Sequence, residues 1–113
     1  MSTGCYTDSM NMSDYQKHAV STLALAKQDS NALPHRVFGL VGEAGQIAHV
    51  AKKIIRDKHG VTSNDDIAEI TKRLGDVLYY VAGVADYYDL DLEAIARQNT
   101  AQSAEFKKNR SKT

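Results

Sequence analysis

The chain has 113 residues, 42% of them hydrophobic, and its 14 Lys plus Arg residues balance its 14 Asp plus Glu residues, for a formal net charge of zero. That length allows one small domain whose modest core subunit association would extend, and the charge balance leaves no global positive field to hold a nucleic-acid polymer. No apolar run approaches the roughly 20 residues that span a bilayer, and a lone cysteine, Cys5, excludes an internal disulfide and fits a reducing, cytoplasmic setting.

Residues 1–12 read as a flexible leader without the charged-then-apolar order of a signal peptide. A single proline, with no Asn-Gly or Asp-Gly turn between alternating runs, argues against hairpins and sheets and predicts an all-α chain. Ser13, with Gln16 three positions later, has the form of a capping box that opens a first helix through Tyr15, Ala19, Leu23 and Ala26, fading near Ser30. Pro34 suits the first turn of a second helix, where its missing N–H costs nothing, and Gly60 suits its stop. Val37, Leu40, Val41, Ala44, Ile47, Ala48, Ala51 and Ile55 give that helix one apolar face.

Ser63 or Asn64 caps a third helix, with Asp65 and Asp66 at the positive end of its dipole. Ile67, Ile70, Leu74, Val77, Leu78, Val81 and Val84 then follow the helical period toward an end near Tyr87, Tyr88 and Asp89. Asp91 caps a fourth helix carrying Leu92, Ile95, Ala96, Asn99 and Phe106, and residues 107–113 form a polar tail expected to fray. Residues 13–106 thus make one domain, a four-helix bundle.

Glu43 is the only formal charge between Val37 and Ala48, and on a helical wheel it lies beside Leu40 and Ile47 at the margin of the apolar stripe. A carboxylate there needs a cation or several donors. Gly39, Gly42 and Gly45 let a backbone or a ligand come close, each at about 1 kcal/mol of helix propensity relative to alanine. On the third helix Glu69, Arg73, Asp76 and Tyr80 share one narrow stripe. If the two helices are antiparallel neighbours, Glu43 and Asp76 converge on one ion, and Mg²⁺ takes one or two carboxylates together with waters and phosphates. Glu69, Arg73 and Asp76 also read as a surface ion-pair ladder, and Tyr79, Tyr80, Tyr87 and Tyr88 as packing. The four histidines show no zinc spacing.

Four segments fall in one family's order and spacing: Tyr15-Gln16, Gly39-Leu40-Val41-Gly42-Glu43-Ala44-Gly45, Leu74-Gly75-Asp76-Val77-Leu78-Tyr79-Tyr80, and Leu92-Glu93-Ala94-Ile95-Ala96 with Asn99. From about Tyr15 to Asn99 the chain resembles the MazG-like nucleoside triphosphate pyrophosphohydrolases. The resemblance implies a helical fold assembling into homodimers or homotetramers and a Mg²⁺ or Mn²⁺ cofactor. It also implies hydrolysis of (deoxy)nucleoside triphosphates to monophosphate and pyrophosphate by metal-assisted attack of water.

The family's acidic signature, Glu-x-x-Glu on the second helix and Glu-x-x-Asp on the third, is kept at Glu43 and Asp76 and altered at Gln46 and Arg73. On this resemblance Glu43 and Asp76 are the catalytic residues and metal ligands, with the Gln46 carbonyl and Glu69 as further ligands. Asn99, Arg73, Lys52, Lys53 and Tyr80 are the substrate-contacting residues. Arg73 at a ligand position repels a metal ion but can grip a phosphate as a planar fork. Lys52, Lys53 and Arg56 either meet the triphosphate or form a solvated face at the helix C-terminus. The altered positions also fit a catalytically weak or inactive nucleotide-binding relative, and the apolar faces alone fit an interaction module.

Overall fold

The computed structural model describes residues 9–111, which form α1 (Met12–Ser21), α2 (Ala32–Asp57), α3 (Asn64–Tyr87) and α4 (Leu92–Ser111), with no strand among them. Residues 1–8, most of the expected leader and Cys5 with it, lie outside the described residues, as do 112–113. None of the described helices is long and apolar enough to cross a membrane.

Capping chemistry sets the helix ends, and at α1 it differs from expectation. Asn11 caps the helix, its side-chain oxygen accepting from the Asp14 N–H at 2.8 Å while the Asp14 carboxylate accepts from the Asn11 N–H at 3.5 Å. The expected Ser13–Gln16 box does not form because Gln16 is buried and committed elsewhere. Its Nε2 donates to the carbonyls of Ala82 at 3.3 Å and Leu90 at 3.0 Å, and its Oε1 accepts from the Leu92 N–H at 2.9 Å. The helix also stops at Ser21, well short of Ser30, because the Thr22 hydroxyl and N–H both close onto the Ala19 carbonyl, at 2.9 and 3.1 Å.

The other ends follow the sequence more closely. Pro34 lies in the first turn of α2, and beyond the helix His59 (φ 53°) and Gly60 (φ 82°) are both left-handed, the Gly60 N–H reaching the Ile54 carbonyl at 3.0 Å. Ser63 caps α3, its Oγ accepting from the Asp66 N–H at 3.1 Å and its N–H donating to the Asp66 carboxylate at 3.0 Å. That backbone donor and the Lys58 ammonium hold the Asp66 carboxyl down at about 2. Asp91 caps α4 through the Ala94 N–H at 3.2 Å. Residues 107–111, expected to fray, continue α4, since no glycine or proline interrupts the sequence from Leu92 onward.

Helices α2 and α3 lie antiparallel, because contacts that ascend one helix descend the other: Arg36 with Gly83, Gly39 with Tyr80, Glu43 with Arg73, Lys58 with Asp66. Arg36, Leu40, Glu43, Ile47, Val50 and Ile54 are buried or half-buried along α2, as are Asp66, Ile70, Arg73, Val77, Tyr80 and Val84 along α3. Both series alternate steps of three and four, the spacing of two helices packed along a shared seam.

The single apolar face expected on each helix is therefore split in two. On α2, Val41, Ala44, Ala48, Ala51 and Ile55 are exposed, as are Ile67, Leu74 and Leu78 on α3. An apolar surface wider than one seam cannot be covered by one neighbouring helix. A second small core joins the remaining elements: Ala19, Ala82 and Leu92, with Met12, Tyr15, Tyr79 and Val81 packed on them. Helix α4 is anchored at this end, touches α1 and α3 but not α2, and is exposed from Arg97 to Arg110.

Arg36, only 2% exposed, ties three segments together. Its Nη1 donates to the Gly83 carbonyl at 2.7 Å and to Asp86 at 3.2 Å, and its Nη2 to the Leu25 carbonyl at 3.2 Å. Replacing Arg36 by Met leaves two carbonyls and a carboxylate without their donor, so R36M should cost about 3–5 kcal/mol, read as a fall in the urea midpoint. A midpoint equal to the parent's would contradict the role assigned to Arg36.

The depressed Asp66 carboxyl has a separate signature in acid. Its contribution is complete above the ordinary value of 3.8 and is lost as pH falls toward about 2. Asp66→Asn should therefore flatten the stability profile in that window, and an unchanged acid profile would refute the assignment.

Candidate functional site

The middle of the α2–α3 seam holds a polar cluster where the spacing calls for apolar residues. Arg73 Nη1 donates to Glu43 Oε1 at 3.0 Å, and both side chains are about a quarter exposed. The hydrogen bond that Arg73 donates to Glu43 raises the already high pKa of the guanidinium, and the charges of Glu43, Glu69 and Asp76 add to it against the opposing effect of burial. Arg73 Nε lies 3.7 Å from Glu69 Oε2, too far for a hydrogen bond, and is buried without a partner. Asp76 accepts from Lys72 Nζ at 3.0 Å, one turn away on the same helix.

Tyr80 completes the cluster because Gly39 makes room for it. A Cβ on Gly39 would stand 2.5 Å from the Tyr80 ring, so only glycine allows the ring to lie against α2 there. Burial pushes the Tyr80 phenol up, and Tyr79 and the carboxylates of Glu43 and Asp76 push it further. Tyr80 thus stays protonated within the field of both acids. Gly42 and Gly45 meet nothing within 4 Å, so the close approach expected at all three glycines occurs within the chain only at Gly39.

Of the residues expected from the sequence, the structure gathers Glu43, Glu69, Arg73, Asp76 and Tyr80 on these two helices. Gln46 and Lys52 are exposed. Lys53 lines a cavity further along the seam, together with Glu69. Asn99 is exposed on α4, which does not touch α2, and so stands apart from Glu43 within one chain.

Among the described residues no group of three or more His, Cys, Asp and Glu side chains is gathered closely enough to hold a metal ion. Glu43 and Asp76 each already carry a cationic partner, Arg73 and Lys72. This donor set does not fit a resident divalent ion; it suffices only for one that brings phosphate oxygens with it, since Mg²⁺ then needs one or two carboxylates.

A wider cavity of about 510 Å³ lies between α1 and the α3–α4 turn, lined by Gln16, Lys17, Asp86, Asp89 and Asp91 among others. Its three carboxylates oppose an anion and are already engaged. Asp86 pairs with Arg36, Asp89 with Lys27, and Asp91 accepts from the Ser13 hydroxyl at 2.7 Å. The chemistry therefore favours the Glu43 face over the larger space.

No protein-family model matches the chain, and no solved structure matches it. It is similar to the Gene 37 protein of Mycobacterium phage L5, with 43% identity over 67 residues that make up 59% of this chain and 59% of that protein. The chain thus spans less than two thirds of that relative's length.

Two residues on which the site depends were not singled out from the sequence. Arg36 stands seven positions before Glu43, on the same stripe of the helix, and a window opening at Val37 leaves it out by one residue. Gln16 enters the sequence reading as a capping residue and as half of the Tyr15-Gln16 segment, not as a buried link between helices. A polar side chain between Ala19 and Tyr15 on an apolar face was the available signal.

Because the Glu43–Arg73 pair is partly solvated, breaking it should cost little: Glu43→Gln should leave the urea midpoint within error of the parent's. Gly39→Ala, which drives a Cβ into the Tyr80 ring, should cost about 1–3 kcal/mol. The reverse ranking in chemical denaturation would show that Glu43 serves stability and not a ligand.

Proposed function

We propose that this chain is a MazG-like, homo-oligomeric protein of the cytoplasm that binds a (deoxy)nucleoside triphosphate at the Glu43–Arg73–Asp76 face and hydrolyses it to monophosphate and pyrophosphate. The observation that carries the reading is the bond between Arg73 and Glu43, 30 positions apart, which joins the two central motifs on facing helices with Asp76 one turn away.

A phosphate entering this face competes with Glu43 for the guanidinium, since a planar fork binds phosphate as well as carboxylate. The exchange transfers Arg73 to the ligand and frees the Glu43 carboxylate. The freed Glu43 carboxylate is then available to the ligand and any ion it brings, and the Tyr80 phenol remains a donor for a phosphate oxygen. A Mg²⁺ or Mn²⁺ accompanying the nucleotide would be held by Glu43 and Asp76 and would supply charge neutralisation at the phosphates.

A second reading, a nucleotide-binding relative with little or no turnover, is favoured by the same ion pair, because a guanidinium now compensates the acidic site. A pyrophosphate-release assay over the common ribo- and deoxyribonucleoside triphosphates, at saturating Mg²⁺, separates the two. Turnover with at least one of them, abolished by Glu43→Gln, supports hydrolysis. Binding without turnover supports the second reading, under which Gln46→Glu combined with Arg73→Glu creates activity absent from the parent. Failure to bind any triphosphate contradicts both.

Assembly is supported by the outer face of α2, where Phe38 is 74% exposed, Val41 63%, and Gly42 and Gly45 lack any neighbour, with Leu74 on α3 55% exposed. Exposed apolar side chains at helical spacing around two open glycines suit a second copy of the same pair of helices. Light scattering should report a dimer or tetramer that Phe38→Glu converts to a monomer. A parent that is monomeric at the highest soluble concentration would contradict this.

A further inference from the structure

We propose that a second copy of this chain covers the apolar side of the α2–α3 pair, with α3 of each copy lying over α2 of the other. This rests on the assembly reading above, to which it adds the face and its register; the nucleotide reading is not needed for it.

The two sides of the seam differ in chemistry. Because α2 and α3 are antiparallel, one residue beyond each seam position turns toward the same side of the pair on both helices. On α2 that step gives Val41, Ala44, Ala48, Ala51 and Ile55; on α3 it gives Ile67, Thr71, Leu74 and Leu78, and nowhere does it land on a charged residue. All of these are exposed, and Val41, Ile55, Ile67 and Leu74 are more than half exposed. One residue back from the seam instead gives Gln46, His49 and Lys53 on α2 and Glu69, Lys72 and Asp76 on α3. The candidate site thus opens on the polar side, and the apolar side is free for another purpose.

Nothing in the described chain covers that side, since α3 is the only helix that touches α2. An uncharged surface spread over two helices is larger than a monomer ordinarily leaves open. It measures about 20 Å by 20 Å, and with Met10, Met12 and Tyr15 beside Leu78 at one end a pair of copies would bury about 1,000 Å², the size of a specific interface.

The face is complementary to itself. Helix α2 contributes three alanines, a shallow groove, while α3 contributes Ile67, Leu74 and Leu78, a ridge. A two-fold axis parallel to the helices lays each ridge over the other copy's groove and keeps every residue at its own height. The contacts of Gly39 with Tyr80 and of Glu43 with Arg73 fix those heights, placing Ala44 level with Leu74 and Ala51 level with Ile67. Across the axis Leu74 therefore meets Ala44 of the second copy and Ile67 meets Ala51, large on small at both ends. Every neighbouring pair of helices in the resulting four-helix layer is antiparallel, which also suits their dipoles.

The test uses the full chain with Cys5→Ser, which removes the one native thiol. Ala44→Cys co-expressed with Leu74→Cys should give a disulfide-linked pair under mild oxidation, and neither variant alone should. Ala48→Glu should at least halve the light-scattering mass, whereas Gln102→Glu on exposed α4 should leave it unchanged. Ala48 is exposed in the single chain, so a helical circular dichroism spectrum should accompany the loss of mass; the cross-link decides independently of that variant. No disulfide in the mixture, equal cross-linking in either single variant, or an Ala48→Glu protein of the parent's mass overturns the arrangement. If the parent is oligomeric and these results are found, this face fails while assembly stands; a monomeric parent contradicts both.

Discussion

A guanidinium taken out of water needs acceptors, and Arg36 finds three of them on two separate stretches of chain: the Gly83 carbonyl and Asp86 on α3, and the Leu25 carbonyl in the segment before α2. Its Nε remains without a partner. Burying such a group is costly, and replacing it together with its acidic partner by well-packed apolar side chains would often be no less stable. What it supplies is position. The Nη1 bond fixes α2 against α3 at one register, and with that register set, Tyr80 must lie over Gly39 and Arg73 must meet Glu43, two turns further along. A slip by one residue would carry both pairs off the seam.

Gln16 does for α1 and α4 what Arg36 does for α2 and α3. A single amide bonds the Ala82 carbonyl inside α3, the Leu90 carbonyl in the turn and the Leu92 N–H that opens α4. Neither device could be read from hydropathy, because each is a polar residue on an apolar face and its meaning lies in acceptors distant in sequence. Helix existence, the ends of α2 and α3 and the start of α4 were legible, since Pro34, Gly60, Ser63 and Asp91 act through local chemistry, whereas the far end of α4 runs on through residues expected to fray. The end of α1 was not, because it depends on Thr22 closing onto Ala19 and on the following segment turning to offer Leu25 to Arg36.

The apolar faces show a second limit of the sequence. Periodicity placed Val41, Ala51 and Ile55 with Leu40, Ile47 and Val37, and so measured the width of the surface without counting the neighbours needed to cover it. In the protein the seam takes one half and leaves the other open. Helix α2 therefore serves two purposes on two sides: a polar cluster toward α3, and an apolar, glycine-bearing surface away from it. At the candidate site, Glu43 stands out in the sequence because a charge beside an apolar stripe is a local anomaly, and Asp76 because it shares one helical stripe with Glu69, Arg73 and Tyr80. That Arg73 pairs with Glu43 needed the facing helix.

The Glu43–Arg73 pair is neither deep enough to be permanent nor loose enough to be absent, and the functional account depends on that intermediate burial. An anion can displace the carboxylate because both partners keep some contact with water. The most direct measurement is an NMR titration of the chain with a triphosphate whose α–β bridge cannot be hydrolysed. The account predicts saturable amide shifts concentrated in α2 from Gly39 to Lys53 and in α3 from Glu69 to Tyr80. Shifts centred instead on Asp86, Asp89 and Asp91, or no saturable shifts at all, would contradict it.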